Sequence, residues 1–212
     1  KSARTAGGGG AIQNNASRPT LLNCGLTSNS ATTGSGMHSA SGSIPVVENS
    51  ILWQNSSAGT EAAQIQTDGS AALINYCCIQ GWTGALGGVG NFGADPGFVA
   101  PIGGDYRLRG DSPCLDAGNS VALPTDTGDL DDDGILGERL PTDIAGNPRV
   151  RGAHCVVDTG EPEAGSPAVV DLGIYELDAP DPAPSARLYV RLGAAGTGDG
   201  SSWANAYPQL HS

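Results

Sequence analysis

The sequence predicts an all-β protein of many short strands, arranged as a β-solenoid, and three observations predict it. Gly supplies 33 of 212 residues and charged residues only 15%, which leaves few of the long side chains that favour helices. The apolar residues fall in short β-branched clusters separated by Asn, Gly and Ser turns, as strands require and disordered chains do not. The third observation is an internal repeat.

The segment "SRPTLLNCGLTSNS" (17–30) aligns with "SIPVVENSILWQNSS" (43–57) at an offset of 26 residues. Pro19 falls over Pro45, Leu21 over Val47, Asn23 over Asn49, Leu26 over Leu52 and Asn29 over Asn55. A third copy, "AALINYCCIQG" (71–81), places Leu73 and Asn75 another 26 residues on. Upstream of these strands "GGGGAIQNN", "GSGMHSASG" and "EAAQIQTDG" correspond, bringing Ile12, Met37 and Ile65 together. Each repeat then forms one coil, and equivalent strands of successive coils pair in parallel sheets. Ile12, Leu21, Leu26, Met37, Val47, Leu52, Ile65 and Leu73 are expected inside. Asn23, Asn49 and Asn75 are expected to stack at a turn, where Asn tolerates left-handed geometry.

Beyond residue 81 the repeat dissolves. Residues 91–119 hold turn signals at Asp95-Pro96, Gly103-Gly104 and Gly110-Asp111, with short apolar runs at Phe98-Val99 and Tyr106–Leu108. Residues 120–170 read as acidic loop, and "VVDLGIYEL" (169–177) as a last short strand. "DAPDPAPSA" (178–186) has linker composition. Residues 187–212 hold a strand-like Leu188, Tyr189 and Val190, a Gly-rich turn, and "SSWANAY", which reads as a helix entry. The chain is thus expected to divide into coils over 1–119, a closing region over 120–177, a linker over 178–186 and a cap-like segment over 187–212.

A formal charge of −12 sets this chain against phosphate backbones and anionic lipids, so nucleic acid is excluded as a partner. No 18-residue apolar run exists to insert in a membrane. The acidity suits a secreted, cell-surface protein or one that binds divalent cations. Five cysteines without CxxC spacing argue against zinc and admit one or two disulfides.

The run "GGGGAIQN…PTLLNC…IPVVENSILWQN", then "YCCIQG", "NFGADPGFV", "GDYRLRGDSPCLDAGN", "DIAGNPRV" and "VDLGIYE", resembles the right-handed parallel β-helix proteins of the choice-of-anchor Q type. These are bacterial secreted or surface proteins, pectate-lyase-like in fold, with repeats akin to those of the polymorphic outer membrane proteins. The resemblance spans nearly the whole chain. It implies a right-handed parallel β-helix, an extracellular setting and extracellular polysaccharide as one partner class. Cys78 and Cys114 both lie in resembling segments, and the resemblance implies a bridge between them, with Cys77 the adjacent competitor. The tail "LYV…GDGSSWANAY" is similar to the N-terminal cap of such β-helices, whereas residue 1 stands inside a coil. The order of parts is permuted relative to the family.

The sharpest chemical motif is "DTGDLDDDG" (126–134). Asp129, Asp131, Asp133 and Gly134 match D-x-D-x-D-G, the opening of an EF-hand or dockerin-type calcium loop, with the Ile135 carbonyl at the next ligand position. Leu140 stands at the twelfth position, where a bidentate acid belongs. Glu138 or Asp143 is the expected substitute, with Asp126 nearby, and calcium is the expected ion.

Catalysis has no comparable signal. Arg107, Arg109, Arg149 and Arg151 are the cations a lyase would need. Arg107 and Arg109 share a strand face with Asp105 and Asp111, which reads as ordinary ion pairing. Asp116 and Asp171 read as turn caps rather than as a hydrolase pair. The three histidines are scattered.

The expected function is therefore structural. Leu188, Tyr189, Val190, Trp203 and Tyr207 are expected to dock on the open coil around Gly9, Gly10 and Ile12 of another copy, head to tail, as an added strand. A carbohydrate-active β-helix and an adhesin with exposed Trp53, Trp82 or Trp203 are the alternatives.

Overall fold

The computed structural model describes residues 8–56, 58–151, 157–166 and 168–177, all within the first of the chain's two compact units, which ends at Asp178. The tail residues Leu188, Tyr189, Val190, Trp203 and Tyr207 lie outside the described residues, as does Cys155.

Short strands dominate, and the only α-helix among the described residues is the single turn Glu61–Gln64, capped at its start by Thr60. Nine strands fall into three parallel three-stranded sheets. β1 (Ile12–Asn15), β4 (Met37–Ala40) and β7 (Ile65–Thr67) form the first. β2 (Thr20–Leu22), β5 (Val46–Glu48) and β8 (Leu73–Asn75) form the second. β3 (Gly25–Thr27), β6 (Ile51–Trp53) and β9 (Cys78–Ile79) form the third. Each strand pairs with the one three places on, so every repeat contributes one rung to each sheet.

Left-handed residues end these strands at equivalent places. Asn23, Asn49 and Tyr76 have φ of 46°, 53° and 48° and turn the chain from the second sheet into the third. Asn adopts this conformation at low cost, which is why the repeat carries it. The third repeat departs from the expected alignment. Val47 pairs with Ile74 and Glu48 with Asn75, an offset of 27 residues rather than 26. The one-residue shift reverses faces, because side chains alternate along a strand. Leu73 therefore points out and is 55% exposed, Ile74 takes the buried position, and Tyr76 rather than Asn75 occupies the left-handed corner.

The inward side chains form one core shared by all three sheets: Leu21, Leu26, Met37, Val47, Leu52, Ile65, Ile74 and Ile79. The outward side chains of the third sheet begin a second core. Ile51, Trp53 and Cys78 pack there against Phe98, Leu108, Cys114, Leu115 and Leu172. β10 (Phe98–Ala100) and β11 (Asp105–Leu108) pair antiparallel to supply part of this cover. Phe98 and Tyr106 meet edge to face at 5.3 Å.

Residues 169–177 form no strand. They run as a buried strap whose backbone bonds go to loops: Leu172 N to Cys114 O, Gly173 N to Asn49 O, and Gly118 N to Val170 O. Val169, Val170 and Leu172 have no measurable exposure, so apolar burial rather than a ladder holds the strap in place.

Candidate functional site

The acidic segment 126–138 folds as a loop tied at its base. Asp126 N donates to Glu138 O at 2.7 Å and Gly137 N donates to Asp126 O at 2.9 Å. Inside it, carboxylates organise the backbone. Asp126 accepts from Gly128 N and Leu130 N, Asp129 from Gly134 N at 3.1 Å, and Asp133 from Ile135 N at 2.7 Å. Asp129 and Asp132 take left-handed φ of 53° and 57°, and Gly134 follows at 82°. This is the curl that an alternating Asp pattern closed by Gly was expected to make.

The curl gathers oxygens. Asp129, Asp131 and Asp133 place carboxylate oxygens within 4.8 Å of one another, and so do Asp126, Asp131 and Glu138. Asp131 belongs to both groups and sits at their junction. Burial, then the charges of Asp133, Asp131, Asp126 and Asp129, push the Glu138 carboxyl above its usual value. Its Oε1 is buried and accepts no hydrogen bond. Of the two acids expected to stand in for Leu140, Glu138 lies beside Asp126 and Asp131. Asp143 is engaged elsewhere: it accepts from the backbone N–H groups of Ala145, Asn147 and Glu176. Leu140 N turns back to Pro124 O. Ile135 is exposed, with its N–H committed to Asp133.

A second carboxylate group lies under the strap and was not legible in the sequence. Arg149 is buried, donates through Nη2 to Gly173 O at 2.6 Å, and brings Nη1 to 3.6 Å from Glu176 Oε1. Glu176 accepts the Asp171 N–H on both oxygens at 3.2 Å. Asp171 in turn accepts from Asp116 N and Leu177 N at 2.8 Å. Burial pushes Asp171 up to about 7 and Glu176 well above its usual value, against the partial relief that Arg149 and the backbone donors give. The arrangement is a clamp that fixes the strap, and it agrees with Asp171 as a turn cap. Arg107 and Arg109 pair with Asp105 and Asp111 in solvent, as expected.

The first-repeat residues expected to take part in assembly are placed differently from one another. Gly9 and Gly10 are buried, not displayed, and donate to Thr33 O and Gly34 O. A Cβ on Gly10 would collide with Ser35 O, so the second repeat already occupies that space. Ile12 is half-buried at the margin of the shared core. Among the described residues β1, β2 and β3 have a strand neighbour on one side only. Beside β3 lies a cavity of about 720 Å³ lined by Gly25, Ile51, Phe98, Tyr106, Leu172 and Ile174 among others. Trp53 is buried, and Trp82 is partly buried against the shared core.

Cys78 and Cys114 are fully buried cysteines that lie in the same outer core. No helix among the described residues is long and apolar enough to cross a membrane. No protein-family model, curated protein or solved structure matches this chain.

Proposed function

We propose that the three sheets close into a right-handed parallel β-helix and that the protein is an extracellular or cell-surface structural module that assembles head to tail. Residues 187–212 of one copy add to the unpartnered rung formed by β1, β2 and β3 of the next. The observation that carries this reading is that rung. Its three strands keep unpaired backbone groups on one side among the described residues, and Ile12 sits half-covered at the core's margin. Such an edge templates strand addition unless something covers it. Because Gly9 and Gly10 are already buried, the contact falls on Ile12–Asn15 and Gly25–Thr27. In a longer chain of tandem modules the same contact joins successive β-helices.

The loop 126–138 holds a calcium ion in this reading. Asp126, Asp129, Asp131, Asp133 and Glu138 supply the carboxylates. Two groups of three acids that share Asp131 repel one another until a cation offsets them, and hard oxygen donors suit calcium. The ion serves structure, holding the closing region rigid.

The test is competition. A peptide of residues 187–212 added to the intact protein should shorten or dissolve assemblies, and a scrambled peptide should not. Assemblies indifferent to both peptides refute the docking. A second reading, glycan binding, is favoured by the cavity beside β3, whose lining includes Tyr106 and no charged side chain. Calorimetric titration with neutral and acidic polysaccharides distinguishes it.

A further inference from the structure

We propose that residues 82–93 are an autoinhibitory end cap, a stunted fourth repeat that covers the third and keeps it from stacking on the first repeat of a second copy. The cap lies at the other end of the stack from the rung proposed to receive residues 187–212, and it does not rest on that docking.

One backbone bond, made where each repeat enters the third sheet, identifies the cap. Ile51 N donates to Cys24 O at 2.9 Å, and Cys78 N donates to Ser50 O at 3.0 Å. Phe92 N donates to Cys77 O at 3.0 Å, so Phe92 stands where a fourth rung would begin. It bridges Cys78 in parallel, as Cys78 pairs with Ile51. Yet Phe92 follows Cys78 by 14 residues, where Cys78 follows Ile51 by 27. Half a repeat cannot lay strands in all three sheets, and the chain goes directly over the end of the third repeat instead.

Loop backbone and side chains replace the missing strands. Tyr76 N donates to Val89 O at 2.8 Å, and Ile79 N to Phe92 O at 2.8 Å. The Asn91 side chain acts as a peptide group. Its Oδ1 accepts from Cys77 N at 2.9 Å, and its Nδ2 donates to Ile74 O at 2.7 Å. Trp82 and Leu86 pack against the shared core and Phe92 against the outer one. Buried Glu61 anchors the start, accepting from Thr83 N at 2.6 Å and Thr83 Oγ1 at 3.0 Å. Gly88 lies so close that a Cβ there would collide with Ile74 O. The cap presents no fresh edge of its own: Gly87, Gly88 and Gly90 take φ of 69°, 88° and 68°, outside any strand geometry.

What the cap hides is complementary to the unpartnered first rung. The inward residues of the third repeat are Ile65, Ile74 and Ile79, and those of the first are Ile12, Leu21 and Leu26. Within each of the three sheets all pairing is parallel. The first rung of another copy, laid on the third, therefore continues each sheet in its own direction with aliphatic side chains meeting inside. Cys77 O would then accept from Gly25 N, as Cys24 O accepts from Ile51 N. β7, the remaining strand of the third rung, has a strand neighbour on one side only among the described residues. Edges of this kind recruit further chains unless covered, and repeat arrays need a terminal unit that stops the stack.

Hydrogen exchange on the full chain tests the cap. In the unmodified protein the amides of Tyr76, Cys77 and Ile79 should be as protected as those of Val46 and Ile51, which bond to the first repeat. In dilute Gly88→Val, whose side chain does not fit over Ile74 O, those three should exchange at least about tenfold faster while Val46 and Ile51 keep their protection. Concentrating the variant should restore the protection as light scattering rises. Adding Ile12→Arg, which puts a charge on the first rung, should prevent that recovery. Full protection in dilute Gly88→Val, fast exchange at every concentration, or recovery that survives Ile12→Arg would each overturn the proposal. Should Gly88→Val lose protection throughout, Asn91→Ala, which removes only the side-chain bonds, decides by the same readings. Loss throughout in both variants also overturns it, because a cap is separable from the repeats beneath. None of the three amides lies on the rung that receives residues 187–212, so the docking and the cap fail separately.

Discussion

Asn29 donates through Nδ2 to Asn55 Oδ1 at 2.9 Å, linking one repeat to the next through a pair of equivalent residues. Asn55 is fully buried and spends its remaining capacity on Leu26 O at 2.7 Å and Gln64 Oε1 at 2.8 Å. Its backbone N–H also donates to Gln64, and Gln64 Nε2 returns a bond to Asn55 O. Buried amides in such a network hold each other's orientation, and loss of one strands the rest.

Asn55→Ala should therefore destabilise by about 3 kcal/mol, since it removes the side-chain bonds to Leu26 O and Gln64 Oε1 and the oxygen that accepts from both Asn29 N and Nδ2. Asn29→Ala, at the margin of the network, should cost about 1 kcal/mol. Urea denaturation of the two variants measures the difference.

The Asn29–Asn55 pair was legible in the sequence because both residues sit at the same place in an undisturbed 26-residue offset. So were Leu21 with Val47 and Leu26 with Leu52, which pair as aligned. The third repeat differs from its expected register by one residue. The segment around the Glu61–Gln64 turn carries two extra residues and the connection from β7 to β8 is one shorter, and neither Leu73-for-Ile74 nor Asn75-for-Tyr76 breaks a composition rule. Within the acidic loop, the D-x-D-x-D-G spacing identified Asp129, Asp131 and Asp133, because local turn chemistry is written locally. The Arg149–Glu176–Asp171 clamp was invisible for the opposite reason. Its members come from segments that only the folded strap brings together, and a lone Arg in a loop carries no mark of burial.

That clamp sets a pH dependence. Asp171 is raised in the folded chain to about 7, by burial first. A folded carboxyl held neutral while its unfolded counterpart ionises subtracts stability as pH rises from the unfolded value towards the folded one. Glu176 acts in the same direction. Asp143 acts oppositely: it is lowered on balance, its backbone bonds outweighing burial, and it loses stability on acidification below the usual carboxylate range. Stability should thus be greatest near pH 4, about where the unfolded carboxyls titrate, and fall by about 2–4 kcal/mol between pH 5 and pH 7.5. Asp171→Asn should flatten that slope even if it lowers stability overall. Chemical denaturation across this range reads both.

Calcium at millimolar concentration should raise the melting temperature, with about 2.7 kcal/mol of added stability at a hundredfold excess over the dissociation constant. Asp131→Asn, which removes the residue shared by both carboxylate groups, should abolish the shift, whereas Asp158→Asn, outside the loop, should leave it intact. Differential scanning fluorimetry with calcium, magnesium and a chelator measures this.

Gly36→Ala should strain the packing between repeats. The added Cβ would collide with Gln64 O and sit 3.1 Å from Asn55 Nδ2, so the backbone or the amide network must give way. A loss of about 1–3 kcal/mol is expected. Gly42→Ala places its Cβ in open space and should cost less, chiefly through the positive φ of 73°. Paired urea curves compare them.

The central claim is assembly through the unpartnered rung of the first repeat. Electron microscopy of the intact protein, beside a variant lacking residues 187–212, tests it most directly. Head-to-tail filaments from the intact protein and discrete particles from the truncated one are the predicted result. Filaments that persist without residues 187–212, or discrete particles from both, would contradict it.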